Sequence, residues 1–345
     1  MTTDMNRTPG NAALRYQRLV AFAAVLTLCL IMLGAYVRLS DAGLGCPDWP
    51  GCYGKILPTQ AHAEISAAVS QQGGELGPVS MAKAWREMGH RYVAIVLGVL
   101  IIAIAVQGWR LRDRLRQSPW LPSALLATVI LQGLFGMWTV TLLLKPAIVT
   151  GHLIGGLLTL ALLVWLWQRQ KPIPHYIDAE PVAALAPLAW IGLGLLALQI
   201  VLGGWTSANY AGLACPDLPT CQGLWWPETN FAEAFHVLRE LGMSGDGSAL
   251  PLPALTAIQI AHRIGAVLIG GFLLWLGWRF ATTDGTRPLG RMMMAVVALQ
   301  IVIGITIVLA GLPLWAAVAH NGVAAVLLSL VVVVAHRATR ARLRI

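Results

Sequence analysis

Four histidines recur in register along the chain, His90 with His262 and His152 with His320. Neutral imidazole is a good iron ligand, and two imidazoles from facing helices are what axial ligation of a haem requires. One such histidine alone reads as a hydrogen-bonded residue near a helix end. Four in register, two in each half, favour ligation. An arginine follows the first member of each pair, Arg91 and Arg263. A guanidinium there can neutralise a haem propionate through charge-assisted hydrogen bonds, or snorkel to a membrane surface. Glu87 precedes His90 by one helical turn, so both side chains share a face, whereas Gln259 stands at the matching place before His262. A carboxylate beside an iron ligand can accept a proton, or stabilise or trap a cationic intermediate. Its bland role is a helix-start acid favoured by the macrodipole. The asymmetry favours chemistry in the first half and a permanent electron-transfer haem in the second. His62, His175, His236 and His336 read as loop or chain-end residues.

The elements that must position these groups are membrane helices. The chain has 345 residues, of which 57% are hydrophobic and only 11% charged, too apolar for a soluble domain of that length. Eight apolar runs, near 17–38, 87–109, 121–143, 147–168, 184–206, 256–278, 290–311 and 315–336, are long enough to cross a bilayer as helices. None alternates as barrel strands do. The first run is longer than a signal-peptide core and lacks a small-residue cleavage site, so it is read as a retained helix.

The formal charge of +9 is placed by topology rather than for nucleic acid. Arg7, Arg15, Arg18, Arg110, Arg112, Arg114, Arg116, Arg169, Lys171, Arg279, Arg287, Arg291, Arg337, Arg340, Arg342 and Arg344 all fall on one side. Asp41, Asp48, Glu64, Glu75, Asp217, Glu228, Glu233, Glu240 and Asp246 fall on the other. The positive-inside pattern then places both termini in the cytoplasm.

A half-length repeat organises the chain. Residues 33–54 read LGAYVRLSDAGLGCPDWPGCYG and residues 202–223 read LGGWTSANYAGLACPDLPTCQG. GHRYVAIVLG (89–98) matches AHRIGAVLIG (261–270), and LQGLFG (131–136) matches LQIVIG (299–304). Each unit holds four spans, an even number, so the halves enter the membrane alike and are related by a pseudo-twofold along its normal. The expected architecture is all-α, eight transmembrane helices as two tandem four-helix bundles: 1–170 with the catalytic haem site, a cytoplasmic linker at 171–183 carrying Pro172, Pro174 and Pro181, and 184–345 with the permanent haem site.

Gln132 and Gln300 correspond and are placed to hydrogen-bond between helices. Arg38 is replaced by Ser207. Gly155, Gly156, Gly270 and Gly271 suit close packing. Segment 232–241, AEAFHVLREL, suits a short amphipathic helix on the outer surface. Cys46 with Cys52 and Cys215 with Cys221 fall outside the cytoplasm, where disulfides persist. Zinc is disfavoured because neither loop offers two further ligands at suitable spacing. Cys29 reads as a small packing residue within the first span.

GAYVRLSDAGLGCPDWPGC, then EMGHR, a histidine opening the fourth span, a second CPDxPxC loop and AHR together resemble the haem A synthase family over essentially the whole chain. The resemblance implies oxidation of the ring-D methyl of haem O by successive hydroxylations, the resulting gem-diol losing water to give the formyl group of haem A for terminal oxidases. It implies that His90 and His152 bind the substrate haem and His262 and His320 ligate haem b. Glu87 would be the essential acid of ExxHR, and the two cysteine pairs the family's external disulfides. Ser40 stands where many relatives have threonine. A bacterial inner membrane location, membrane lipid as surroundings, and contacts with haem O synthase and an electron acceptor are further expectations. The competing functions are a dihaem b-type cytochrome that only carries electrons, which gives Glu87 no role, and a transporter, which gives the histidine pairs none.

Overall fold

The computed structural model describes residues 11–74, 77–115, 117–171 and 179–343. Arg7, Glu75, Arg116, Pro172, Pro174, His175 and Arg344 lie outside them, as does most of the expected linker. Eight long apolar helices are present among the described residues: α1 (Asn11–Leu39), α2 (Met81–Arg110), α3 (Trp120–Thr141), α4 (Pro146–Arg169), α5 (Ala186–Ala208), α6 (Leu252–Thr282), α7 (Arg287–Leu309) and α8 (Leu314–Arg342). Each is long and apolar enough to span a bilayer. Side chains such as Val99, Val267 and Leu268 point outward without a protein partner to cover them, as lipid-facing residues do.

Helix starts follow local chemistry. Ser80 caps α2 by accepting the Lys83 N–H at 3.2 Å, and prolines open α4, α5, α6 and α7, where a missing N–H costs nothing. The α3–α4 and α7–α8 turns are short. Leu143 and Leu144 in one, and Gly311 and Leu312 in the other, take positive φ.

Contacts run α1 on α2, α2 on α3, α3 on α4 and α4 back on α1, closing a ring of four. Helices α5 to α8 pack in the same cyclic order. Hence α2 lies diagonally opposite α4, and α6 opposite α8. The rings meet through α4 on α8, flanked by α1 on α8 and α4 on α5. Helix α8 is consequently the most enclosed of the eight. A short helix, Ala179–Ala184, buries Val182 and Ala183 against α8, so the described part of the expected linker is packed rather than extended.

The long loops after α1 and α5 fold alike. Each CPDxPxC segment closes a disulfide, Cys46–Cys52 and Cys215–Cys221, with Cα–Cα distances of 4.8 and 4.6 Å. Asp48 accepts the N–H groups of Tyr53 (2.6 Å) and Gly54 (2.7 Å), and Asp217 accepts those of Gln222 (2.6 Å) and Gly223 (3.0 Å). In each loop both residues after the second cysteine have positive φ, the type I′ requirement that explains the glycine.

The Thr220 hydroxyl, then the Gly223 and Gln222 N–H groups, hold the Asp217 carboxyl below the usual carboxylate range. Its stabilisation of the loop is therefore complete above the unfolded value of about 3.9 and is lost as pH falls through the depressed folded value. Amide exchange at Gln222 and Gly223 should be slow near neutrality and quicken, relative to intrinsic rates, only in acid.

Several expectations are corrected. Of segment 232–241, only its start is helical, within Phe231–Ala234. Arg239 turns inward instead, donating to Asn209 Oδ1 (2.6 Å) and the Glu233 carbonyl (2.5 Å). His336 is no chain-end residue: it is buried in α8 with its ring 4.9 Å from that of Trp165. His62 opens a short helix, His62–Gln71. Cys29 is exposed on the outside of α1.

Candidate functional site

Each proposed ligand sits deeper than its apolar run suggested. His90 and His262 are the tenth and eleventh residues of α2 and α6, and His152 and His320 the seventh of α4 and α8. At about 1.5 Å per residue, α2 and α6 run roughly 5 Å further toward the loops than their diagonal partners. These extensions form the walls on which the disulfide loops rest.

The diagonal arrangement brings His90 and His152 together across the first ring, with ring centroids 6.4 Å apart and planes at 64°. Two metal–imidazole bonds of about 2 Å plus about 1 Å of ring at each end span roughly 6 Å. A single iron between them therefore fits. His262 and His320 occupy the corresponding helices of the second ring.

Every one of these imidazoles lies over a glycine of the preceding helix. A Cβ at Gly34 would stand 3.0 Å from His90 Nε2, and one at Gly203 3.1 Å from His262 Cε1. Cβ atoms at Gly136 and Gly304 would each stand 3.3 Å from Cε1 of His152 and His320. His152 Nδ1 and His320 Nδ1 are buried without a partner among the described residues. The unsatisfied nitrogens suit a guest ligated by the histidines. These glycines were quoted in the sequence matches without being assigned any part in the site.

Glu87 is buried on α2, one turn from His90 and facing the first disulfide loop. Its Oε1 pairs with Arg91 at 2.5 Å and its Oε2 accepts the Cys46 N–H at 2.9 Å. The loop reaches this position because Gly45 runs against the backbone of α2: a Cβ there would meet the Lys83 carbonyl carbon at 2.7 Å. In the second ring Ala214 and Gln259 stand at the matching positions, and Gln259 Oε1 is buried without a partner among the described residues. Gly45→Ala is expected to lift the Cys46 amide from Glu87. Its expected signature is an activity loss of about tenfold or more with the second-ring histidines undisturbed, checked by turnover alongside the visible spectrum.

Arg91 donates to the carbonyls of Asp48 (2.8 Å), Pro50 (3.3 Å) and Gly51 (2.5 Å), and Arg263 to those of Cys215 (2.7 Å) and Thr220 (2.9 Å). Both arginines thus fasten a disulfide loop to the helix carrying a histidine. Arg263 Nε is buried and has no acceptor among the described residues.

Arg38 reaches the carbonyls of Ser207 (3.2 Å) and Ala208 (3.4 Å) and stacks 4.1 Å from the Tyr210 ring. Positions 38 and 207 meet near the junction of the rings, where a second arginine would face the first. Repulsion between like charges accounts for the Arg/Ser asymmetry.

Gln132 Nε2 donates to the His152 carbonyl (2.6 Å) and Gln300 Nε2 to that of His320 (3.2 Å), each between helices as the matched glutamines suggested. Gln199, which the sequence comparison passed over, does the same for His262 (3.0 Å) and also lies 3.0 Å from its Nδ1. Its repeat counterpart is Leu30, so matching residues alone could not find it. Among the described residues no three His, Cys, Asp or Glu side chains gather as a conventional metal site, and four of the five cysteines are in disulfides.

Comparison with known proteins gives the family. A family model described as COX15-CtaA, cytochrome oxidase assembly protein, matches residues 17–332. A haem A synthase of Shewanella oneidensis is 44% identical over 315 residues, covering 90% of this chain and 92% of its own length. Those of Beijerinckia indica (28% over 343 residues, 93% of each chain) and Shouchella clausii (26% over 298 residues, 84% and 83%) are more distant. With nearly all of its length matched, from the first span to the last, the chain belongs to the COX15-CtaA family of cytochrome oxidase assembly proteins.

Proposed function

We propose that this multi-pass membrane protein is a haem A synthase in which His90 and His152 hold haem O while His262 and His320 hold a resident haem b. The observation that carries the reading is the His90–His152 pair at 6.4 Å with a buried carboxylate one turn away. The matching position of the second ring holds Gln259. Mirrored contacts, α1 on α8 and α5 on α4 about a central α4–α8 pair, support a pseudo-twofold relating the halves along the membrane normal. The loops then face outward, both termini lie in the cytoplasm, and the membrane is the bacterial inner one.

The ring-D methyl of haem O becomes a formyl group by two successive hydroxylations that take oxygen from water, the four electrons leaving to an external acceptor with release of four protons, and the gem-diol then loses one water. Haem b, when bound, supplies one-electron transfer toward an external acceptor. His90 and His152 fix the plane of the substrate. Glu87, oriented by Arg91 and the Cys46 amide, accepts a proton or steadies developing positive charge beside that plane. Arg91 and Arg263 line the loop side, where propionates would emerge, and Arg263 keeps a buried Nε–H for one.

Filling a glycine cradle tests this reading. Gly304→Val should displace His320 and remove most b-type haem from the purified protein, whereas Gly98→Ala, which opens onto empty space, should not. Haem content by pyridine haemochromogen assay decides. Equal haem in both variants would contradict the assignment of His320.

A further inference from the structure

We infer that a glutamine latch anchors three of the four axial histidines, and that its omission beside His90 makes His90 the ligand through which substrate enters and product leaves. This rests on the two-haem reading above. In each ring the helix preceding a histidine helix is placed to hold it. Gln132 of α3 holds His152 of α4, Gln199 of α5 holds His262 of α6, and Gln300 of α7 holds His320 of α8, each by an Nε2–H to the histidine's own carbonyl. The bond pins the backbone from which the imidazole projects.

Two of the latches also have a built seat. A Cβ at Gly155 would stand 2.1 Å from Gln132 Oε1, and one at Gly265 2.2 Å from Gln199 Oε1. The amide at His262 lies 3.0 Å from Nδ1.

The α1–α2 pair breaks the pattern twice. Leu30 replaces the glutamine at the position of Gln199, and Val93 replaces its seat at the position of Gly265. Both join an apolar cluster with Leu97 and Ile101. Losing the latch and its seat together is what a ring that must exchange its macrocycle needs, while both histidines of the permanent ring keep their latch glutamines, Gln199 and Gln300. Partners one shell out from metal ligands typically contribute 10–100-fold to affinity.

The test moves the latch between rings and follows haem transfer from the detergent-solubilised full chain to excess apomyoglobin, read by absorbance. In wild type, haem O should leave before haem b. Gln199→Leu with Gly265→Val should speed haem b transfer about tenfold. Leu30→Gln with Val93→Gly should slow haem O transfer by a similar factor, a sign that a poorly folded variant cannot imitate. Haem O transfer within twofold of wild type, or faster, in the second variant would overturn the inference. If His262→Ala leaves the b-type haem in place, the two-haem reading itself fails, and the latch with it.

Discussion

Glu87→Gln should leave both haem sites filled and stop the chemistry. The amide keeps the shape of the carboxylate but offers one oxygen where Glu87 uses two, so it keeps either the Cys46 N–H or the Arg91 guanidinium, while Arg91's own bonds to the Asp48, Pro50 and Gly51 carbonyls hold the loop on α2. What disappears is the capacity to take up a proton and the negative charge one turn from His90. General acid–base groups typically contribute about 10²–10⁴-fold. Conversion of haem O to haem A, followed by extraction and chromatography after expression with haem O synthase, should fall at least a hundredfold while total haem is retained. Full conversion by this variant would remove Glu87 from the mechanism.

The second large effect divides the histidines by ring. His152→Ala should abolish haem A formation and haem O retention yet keep the b-type spectrum, because α8 and α6 hold the other macrocycle independently. His320→Ala should remove the b-type spectrum and, by cutting the path for electrons, turnover as well. His152 faces His90 and lies over Gly136 of α3, whereas His320 lies over Gly304 of α7, so each belongs to its own ring. Extracted haem from each variant, resolved into haem b and haem O, is the measurement. Loss of the same haem in both variants would show a single shared site.

Much of this arrangement was legible in the residues, for identifiable reasons. Apolar runs announce membrane helices because no other open structure satisfies its backbone in lipid. The half-length matches place His90, His152, His262 and His320 at equivalent positions without any structure. The CPDxPxCxG loops carry their turn chemistry locally, in the aspartate that accepts two N–H groups and the glycine with positive φ.

What stayed hidden lies where local pattern and tertiary contact diverge. Hydropathy falls off before the helix does, so α2 was expected from 87 although Ser80 caps it and residues 81–86 continue it outside the apolar stretch. The amphipathic pattern of 232–241 could not foresee that Arg239 would be buried against Asn209 and Trp205. Gln199 is invisible to a comparison of repeats because its significance is that Leu30 differs from it. The cradling glycines sat inside the quoted matches, yet only geometry connects them to an imidazole on the next helix.

The most direct test is near-infrared magnetic circular dichroism of the chain expressed without haem O synthase, so that the second ring alone is occupied by its own haem. The expected result is one low-spin haem per chain with a bis-imidazole band, lost on replacing either His262 or His320 and unchanged on replacing His90. A band that survives loss of His262 or of His320, or that signals a single nitrogen ligand, would contradict the pairing of histidines across each ring.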